Sequence, residues 1–212
     1  MVKLLYQDNP YMKECRSRVV DITNNEVLLE QSCFFAFSGG QASDSGTINN
    51  IPVKEAFWRT DEIIYVLENV PGFKIDDEVT VKIDWEKRHR IMKLHTAAHI
   101  VYEFFIKKAG NQKVIGSNIS LDKARLDFEY KESVGPLLKE LEEQSNKFIA
   151  EDKNVLTYPD EEDEKRRWWE IKDFAKMPCG GTHVKKTAEI GKIKLKRKNL
   201  GSNKERIEVI LQ

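Results

Sequence analysis

The sequence predicts an α+β protein in two parts, a small β-barrel domain over residues 1–85 and an α+β domain over residues 86–212. Three observations carry this. Short β-branched or aromatic runs separated by turn residues fill the first part. An apolar pattern of helical period begins abruptly after Asp84-Trp85-Glu86-Lys87-Arg88. Finally, His95-x-x-x-His99 and Cys179-x-x-x-His183 are two pairs of metal-ligand residues set too far apart for a zinc finger. A site assembled from such distant segments requires a domain already folded around it, which predicts a zinc site in a cleft.

The first part reads as strands at Val19–Ile22, Glu26–Glu30, Cys33–Phe37, Val53–Trp58, Ile63–Leu67 and Val79–Ile83. Asn24-Asn25, Gly39-Gly40, Asn49-Asn50 and Pro71-Gly72 supply turns between them, and many short strands with regular turns suggest a small barrel or sandwich. In the second part Ile91, Leu94, Ala98, Val101 and Phe105 recur at helical spacing. Met92, Thr96, Ile100 and Phe104 widen that face, and Gly110 stops the helix. Val114–Leu121 and Ala124–Tyr130 read as a hairpin. Pro136 suits an early helical position, with the helix continuing through Leu137, Leu138, Leu141, Phe148 and Ile149 to about Asp152. Asn154–Tyr158 reads as a short strand, Asp160–Arg167 as a charged stretch without assignment, and Ile190–Lys198 with Arg206–Leu211 as a final hairpin around Asn199-Leu200-Gly201-Ser202. Helices combined with hairpins give the α+β class.

Composition sets outer bounds. With 40% hydrophobic and 33% charged residues in 212, the chain is globular and highly charged. Its 35 basic and 35 acidic residues cancel, so only local patches argue for nucleic acid. The three cysteines, Cys15, Cys33 and Cys179, are odd in number and form no disulfide framework, which predicts a reducing interior. The N-terminus lacks an apolar signal region, and no apolar run approaches the ~18 residues of a membrane span, so the expectation is a soluble cytoplasmic protein.

On a helix, His95 and His99 project from one face with Cβ atoms roughly 6 Å apart. Two imidazoles so placed can converge on one zinc at about 2.0–2.1 Å. HTAAH lacks the Glu of a zinc-protease HExxH helix. In CGGTH, Gly180 and Gly181 let the backbone bend so that Cys179 and His183 turn inward. Three of the four histidines fall in these two motifs. A closed structural site and a catalytic site with an open position both remain compatible with this spacing.

The order of motifs is then recognisable. Arg88-His89-Arg90-Ile91-Met92-Lys93-Leu94-His95-Thr96-Ala97-Ala98-His99, Ile115-Gly116-Ser117, Arg125-Leu126-Asp127-Phe128, and Cys179-Gly180-Gly181-Thr182-His183-Val184 continuing to Thr187-Ala188-Glu189-Ile190-Gly191 resemble the editing domain of alanyl-tRNA synthetase. The same order occurs in its free-standing relatives, the AlaX proteins. Phe34 to Ile48, with Ser38-Gly39-Gly40-Gln41 at its centre, looks like that family's Gly-rich motif, and the resemblance covers roughly residues 30–212. The N-terminal barrel without a C-terminal extension is similar to the medium-length AlaX type. Ser38 stands where many relatives have a first glycine, and Ala98 and Val114 stand where synthetase-embedded domains often carry Thr and Gln.

The resemblance implies zinc-dependent hydrolysis of the ester joining serine to tRNA(Ala), glycine being left open as a second substrate. The metal ligands would be His95, His99, Cys179 and His183. Serine is alanine plus a hydroxyl, which a hydrophobic synthetase pocket rejects by only roughly 10²-fold, whereas a second site that hydrogen-bonds the hydroxyl discriminates strongly the other way. Gly39, Gly40, Gln41, Thr96 and Ser117 are the expected substrate-contacting groups. No side-chain base is assigned, because an aminoacyl ester is already activated and zinc can orient it or lower the pKa of a water. Backbone N–H groups of the Gly-rich turn are candidates for the oxyanion.

For tRNA contacts, Lys192, Lys194, Lys196 and Lys198 alternate along a predicted strand and would present a row of ammonium groups to phosphates. Edge strands also carry lysine to prevent aggregation. Arg88, His89, Arg90 and Lys93 form a second basic group, and Arg166-Arg167-Trp168-Trp169 offers rings for stacking or for a core. Asp160–Glu164 reads as a solvated acidic face. Two other readings stay open: an editing domain of the threonyl-tRNA synthetase type acting on another seryl-tRNA, and a non-catalytic RNA-binding module with structural zinc.

Overall fold

The computed structural model describes residues 2–163 and 166–212, so that Glu164 and Lys165 of the charged stretch lie outside the described residues. The fold is mixed α+β with several antiparallel sheets, in two compact units. One unit comprises Met1–Ser38 and Ala42–His89; the other comprises Gly39–Gln41 and Arg90–Gln212.

In the first unit, β1 (Lys3–Leu4) leads into a one-turn α1 (Leu5–Asp8), followed by β2 (Glu14–Thr23), β3 (Glu26–Leu29), β4 (Gln31–Ser32), β5 (Gly46–Ile48), β6 (Ile51–Arg59), β7 (Glu62–Leu67) and β8 (Glu78–Ile83). Strands β2-β3-β7-β6-β5-β8 close into a barrel. Asn49 and Asn50 join β5 to β6 with φ of 46° and 65°, the two left-handed residues of a type I′ hairpin turn, a conformation asparagine adopts more readily than most residues. Val19, Val27, Ile63, Tyr65, Val79 and Val81 point inward and fill the barrel, leaving no sheet edge to protect.

Cys33–Phe37 is not the strand its aromatic run suggests. Cys33, Phe34, Phe35 and Ala36 are all buried, so the segment lacks the alternation of a strand with one wet face. Asp44 takes its backbone instead: Phe35 N–H donates to Asp44 Oδ2 at 2.7 Å, and Asp44 N–H donates to Phe35 C=O at 2.9 Å. Arg88 was expected to be part of a basic nucleic-acid surface. It is fully buried, its guanidinium paired with the Asp44 carboxylate and donating to the Cys33 carbonyl at 2.8 Å and the Pro10 carbonyl at 3.0 Å. A buried guanidinium needs all these acceptors, so Arg88 is a structural tie.

Helix α2 (Trp85–Ala109) runs to Gly110, whose φ of +75° ends it. Its Ile91, Leu94, Ala98, Val101 and Phe105 are buried, as the period requires. Next come β9 (Val114–Ile119), β10 (Ala124–Glu129), α3 (Leu138–Ala150), β11 (Leu156–Pro159), β12 (Arg167–Ile171), β13 (Ala175–Pro178), β14 (Ile193–Gly201) and β15 (Lys204–Leu211). They form a four-stranded sheet ordered β14-β15-β10-β9 and a three-stranded sheet ordered β11-β12-β13, both antiparallel. Phe105 packs on Phe128 of β10 with ring centroids 4.4 Å apart, and Phe104 meets Phe148 of α3 at 5.8 Å. The final hairpin turns at Ser202 and Asn203, both left-handed, two residues beyond the expected centre. Strand β14 begins at Ile193 because Thr187–Ile190 is a 3₁₀ turn. Among the described residues no helix is long and apolar enough to cross a membrane.

Candidate metal centre

His95 and His99 lie one turn apart on the buried face of α2. Strand β13 ends at Pro178, and the next residue, Cys179, extends its ladder by donating its N–H to the Arg167 carbonyl at 2.8 Å. The chain then folds through Gly180-Gly181 and brings His183 back. Gly181 has to be glycine: a Cβ there would lie 2.3 Å from His95 Cε1 and 2.7 Å from Gln41 Oε1. The result is a cluster of His95, His99, Cys179 and His183 whose donor atoms all lie within 4.8 Å of one another. Cys179 Sγ is 3.6 Å from His95 Nε2 and 3.2 Å from His183 Nε2. Those two separations lie close to the ~3.3–3.7 Å edges of a tetrahedron built on metal–nitrogen and metal–sulfur bonds of zinc length.

The remaining ring nitrogens decide which atom each imidazole presents. His95 Nδ1 is 2.8 Å from Gln41 Oε1, an acceptor, so Nδ1 carries the proton and the Nε2 lone pair faces the cluster. Gln41 is held in turn by Thr182, whose N–H donates to Oε1 at 3.0 Å and whose Oγ1 accepts from Nε2 at 2.9 Å. Thr96 does the same for His183. Its hydroxyl donates to the Met92 carbonyl at 2.9 Å, which leaves Oγ1 to accept from His183 Nδ1 at 3.2 Å and from Val184 N–H at 3.3 Å. His99 packs against Trp169, ring centroids 4.9 Å apart, and its Nε2 is buried with no hydrogen-bond partner. A buried nitrogen without a partner is costly. Here it points to a group that completes it, so the residues present fit a metal ion.

Protonation agrees with that fit. Burial, and then the neighbouring His99 ring, hold His95 well below the ordinary imidazole range. Burial lowers His99 to about 4. Burial, then His95 and His99, lower His183. All three rings are therefore neutral near pH 7, the form that ligates. Burial pushes the Cys179 thiol up to about 11, opposed by a backbone hydrogen bond from Gly181. A cation would reverse that shift, since a coordinating thiol is deprotonated outright.

Several relatives and a family profile match this chain. The family described as threonyl and alanyl tRNA synthetase second additional domain matches residues 168–208, the stretch that carries Cys179 and His183. The alanyl-tRNA editing protein AlaX-M of Pyrococcus horikoshii is 36% identical over 216 residues, covering 100% of this chain and 99% of that protein. The chain belongs to the AlaX-M family. The AlaX-M protein of Methanosarcina acetivorans is 31% identical over 98% of both chains. Alanine–tRNA ligase of Methanococcus aeolicus is 31% identical over 97% of this chain, which spans 25% of that ligase.

The other expected residues of this AlaX-M family member fall as follows. Gly39 and Gly40 are left-handed, with φ of 57° and 83°. A Cβ on Gly40 would lie 2.7 Å from the Ser117 carbonyl oxygen, so the Gly-rich turn packs directly on β9. Gly40 C=O accepts from Ile119 N–H at 2.8 Å and Asn118 Nδ2 at 3.3 Å. Ser117 is exposed. Lys194, Lys196 and Lys198 are exposed on β14, and Lys192 is exposed just before it, but Lys194 pairs with Glu142 at 3.0 Å. Trp169 is fully buried behind His99 and cannot stack on a base; Trp168 donates its indole N–H to Asp160. Thr182 had no expected role, and Trp169 was expected only as a ring for stacking or for a core, of which its burial fits the core. Thr182 lies inside CGGTH, whereas Trp169 belongs to β12, a strand left unassigned beside the charged Asp160–Arg167 stretch.

Proposed function

We propose that this chain is a trans-editing aminoacyl-tRNA deacylase that hydrolyses the ester joining a wrong amino acid, serine foremost, to tRNA(Ala), with zinc held by His95, His99, Cys179 and His183. The observation that carries this is the convergence of three imidazoles and one thiol, two of the rings fixed by Gln41 and Thr96. Membership in a family whose relatives are named alanyl-tRNA editing proteins supports it. Three imidazoles and a thiolate suit zinc, being borderline-soft donors that pack tetrahedrally. Zinc held by His95, His99, Cys179 and His183 would supply Lewis-acid chemistry for ester hydrolysis.

The residues of the chain then divide the work. Gln41 and Thr96 spend their hydrogen bonds on His95 and His183, so they act on the substrate through those rings. The exposed Ser117 hydroxyl, next to Gly40, is the group we assign to the substrate's own hydroxyl. A site that hydrogen-bonds a hydroxyl rejects the analogue lacking it by about 10⁴-fold, because its polar group is otherwise left unpaired. That is the discrimination required of an enzyme that spares alanine. Gly39 and Gly40 N–H groups are assigned to the developing oxyanion. Residues 1–85 are taken as the β-barrel domain and 86–212 as the editing domain. Lys192, Lys194, Lys196 and Lys198 are assigned to tRNA phosphates, Lys194 exchanging Glu142 for the phosphate.

The test is hydrolysis of serine-charged tRNA(Ala) by the protein as purified, after chelation, and after zinc is restored. The expected result is activity that disappears and returns with zinc while the far-ultraviolet dichroism changes little. Full activity in chelated protein contradicts the metal's role.

A further inference from the structure

Phe37 is 56% exposed, the one aromatic among the exposed large hydrophobic residues described. It lines a groove of about 640 Å³ in the barrel unit, together with Phe57 and Trp58 of β6, Lys54, Glu55 and Lys87. Neither Lys54 nor Lys87 makes an ion pair among the described residues, while Asp44, which also borders the groove, is neutralised by Arg88. Glu55 leaves the groove with an excess of one positive side chain. Aromatic faces interleaved with ammonium groups form the surface that single-stranded nucleic acid uses, bases stacking on rings and phosphates meeting lysines. The groove's position in the chain adds to this. Phe37 and Ala42, both at its wall, flank the Gly39–Gln41 segment, and Gln41 holds His95.

We propose that this groove binds a nucleotide of the single-stranded 3′ tail of the tRNA, a base stacking on Phe37 and its phosphate meeting Lys54 and Lys87. The assignment rests on the tRNA-editing reading, since it names the part of that substrate the barrel unit holds. It accounts for a large apolar side chain kept in water, which burial in the barrel would otherwise have favoured.

The experiment is a binding cycle on the full chain. Uncharged tRNA(Ala) transcript is used intact or shortened by its single-stranded 3′ tail, against wild type, Phe37→Ala, Phe37→Leu and Phe37→Tyr. Wild type is expected to bind the intact transcript about tenfold more tightly than the shortened one, the size of one base–aromatic stack. Phe37→Ala and Phe37→Leu should each lose about that factor on the intact transcript and nothing on the shortened one, so that the two deletions do not multiply. Phe37→Tyr should bind as wild type. Because Phe37 is exposed, its variants should melt as wild type does. The groove assignment falls if wild type does not distinguish the transcripts, if Phe37→Ala weakens both equally or neither, or if Phe37→Leu binds as wild type. Hydrolysis is measured separately. Protein that deacylates seryl-tRNA(Ala) but fails the cycle keeps its function and loses the groove. Protein that passes the cycle without hydrolysing keeps the groove and loses the editing reading.

Discussion

Gln41 decides which nitrogen of His95 is free, and it does so from 54 residues away in the chain. Removing it leaves His95 Nδ1 and Thr182 without their partner and lets the ring turn. Gln41→Ala is therefore expected to weaken zinc by about 10–100-fold in chelator competition, the usual effect of losing such an orienting bond. Affinity unchanged from wild type would show that Gln41 does not orient the ring. The histidines also set a pH response. His99 is lowered to about 4 from an ordinary 6.5, and His95 and His183 are lowered as well. Between those values the unfolded chain binds more protons than the folded one, so stability falls as pH is lowered. Metal-free protein should hold full stability above about pH 6.5 and melt progressively lower toward about pH 4, less steeply in His99→Ala. A melting temperature flat across that range would contradict neutral buried rings. The helical spacing of His95 and His99 was legible because side chains four apart share a face. The bonds from Gln41 and Thr96 were not. The resemblance implied Gln41, and its place inside the His pair suggested Thr96, as substrate groups; their bonds to His95 and His183 are set by tertiary packing.

At the scale of elements, the turn after β13 carries the strictest demand. Gly180 has open space around its missing side chain, whereas a Cβ on Gly181 would lie 2.3 Å from His95 and 2.7 Å from Gln41. Gly180→Ala should leave zinc content and hydrolysis within about twofold of wild type, and Gly181→Ala should lose zinc, since a methyl at such distances displaces the ring itself. Equal zinc content in the two variants would contradict the packing described. The flanking strands were partly hidden in the sequence. Strands β6, β7 and β8 could be read from alternation and turn residues, and α2 from its period. Strands β12 and β13 lay beside a charged stretch and were too short to show a period. The aromatic run at Cys33–Phe37 pointed to a strand that Asp44 replaces with side-chain hydrogen bonds, a competition no local pattern displays.

At the scale of the whole molecule, the α+β class followed from the change of period near residue 85, yet Gly39–Gln41 groups with the second unit rather than with the strands around it. Only the hydrogen bonds of Gly40 and Gln41 reveal that. The barrel unit has its own buried tie in Arg88–Asp44. Arg88→Ala strands the Asp44 charge and should lower unfolding free energy by about 3–5 kcal/mol in urea titrations, as breaking a buried pair does. A loss under about 1 kcal/mol would mean the site admits water freely. Function at this scale is a discrimination, and it is tested most directly by comparing hydrolysis of serine-charged and alanine-charged tRNA(Ala) by the full chain, with Cys179→Ala as control. The expected result is rapid loss of serine, alanine left attached, and no serine loss with the variant. Hydrolysis of both esters at one rate, or of neither in zinc-replete protein, would contradict it.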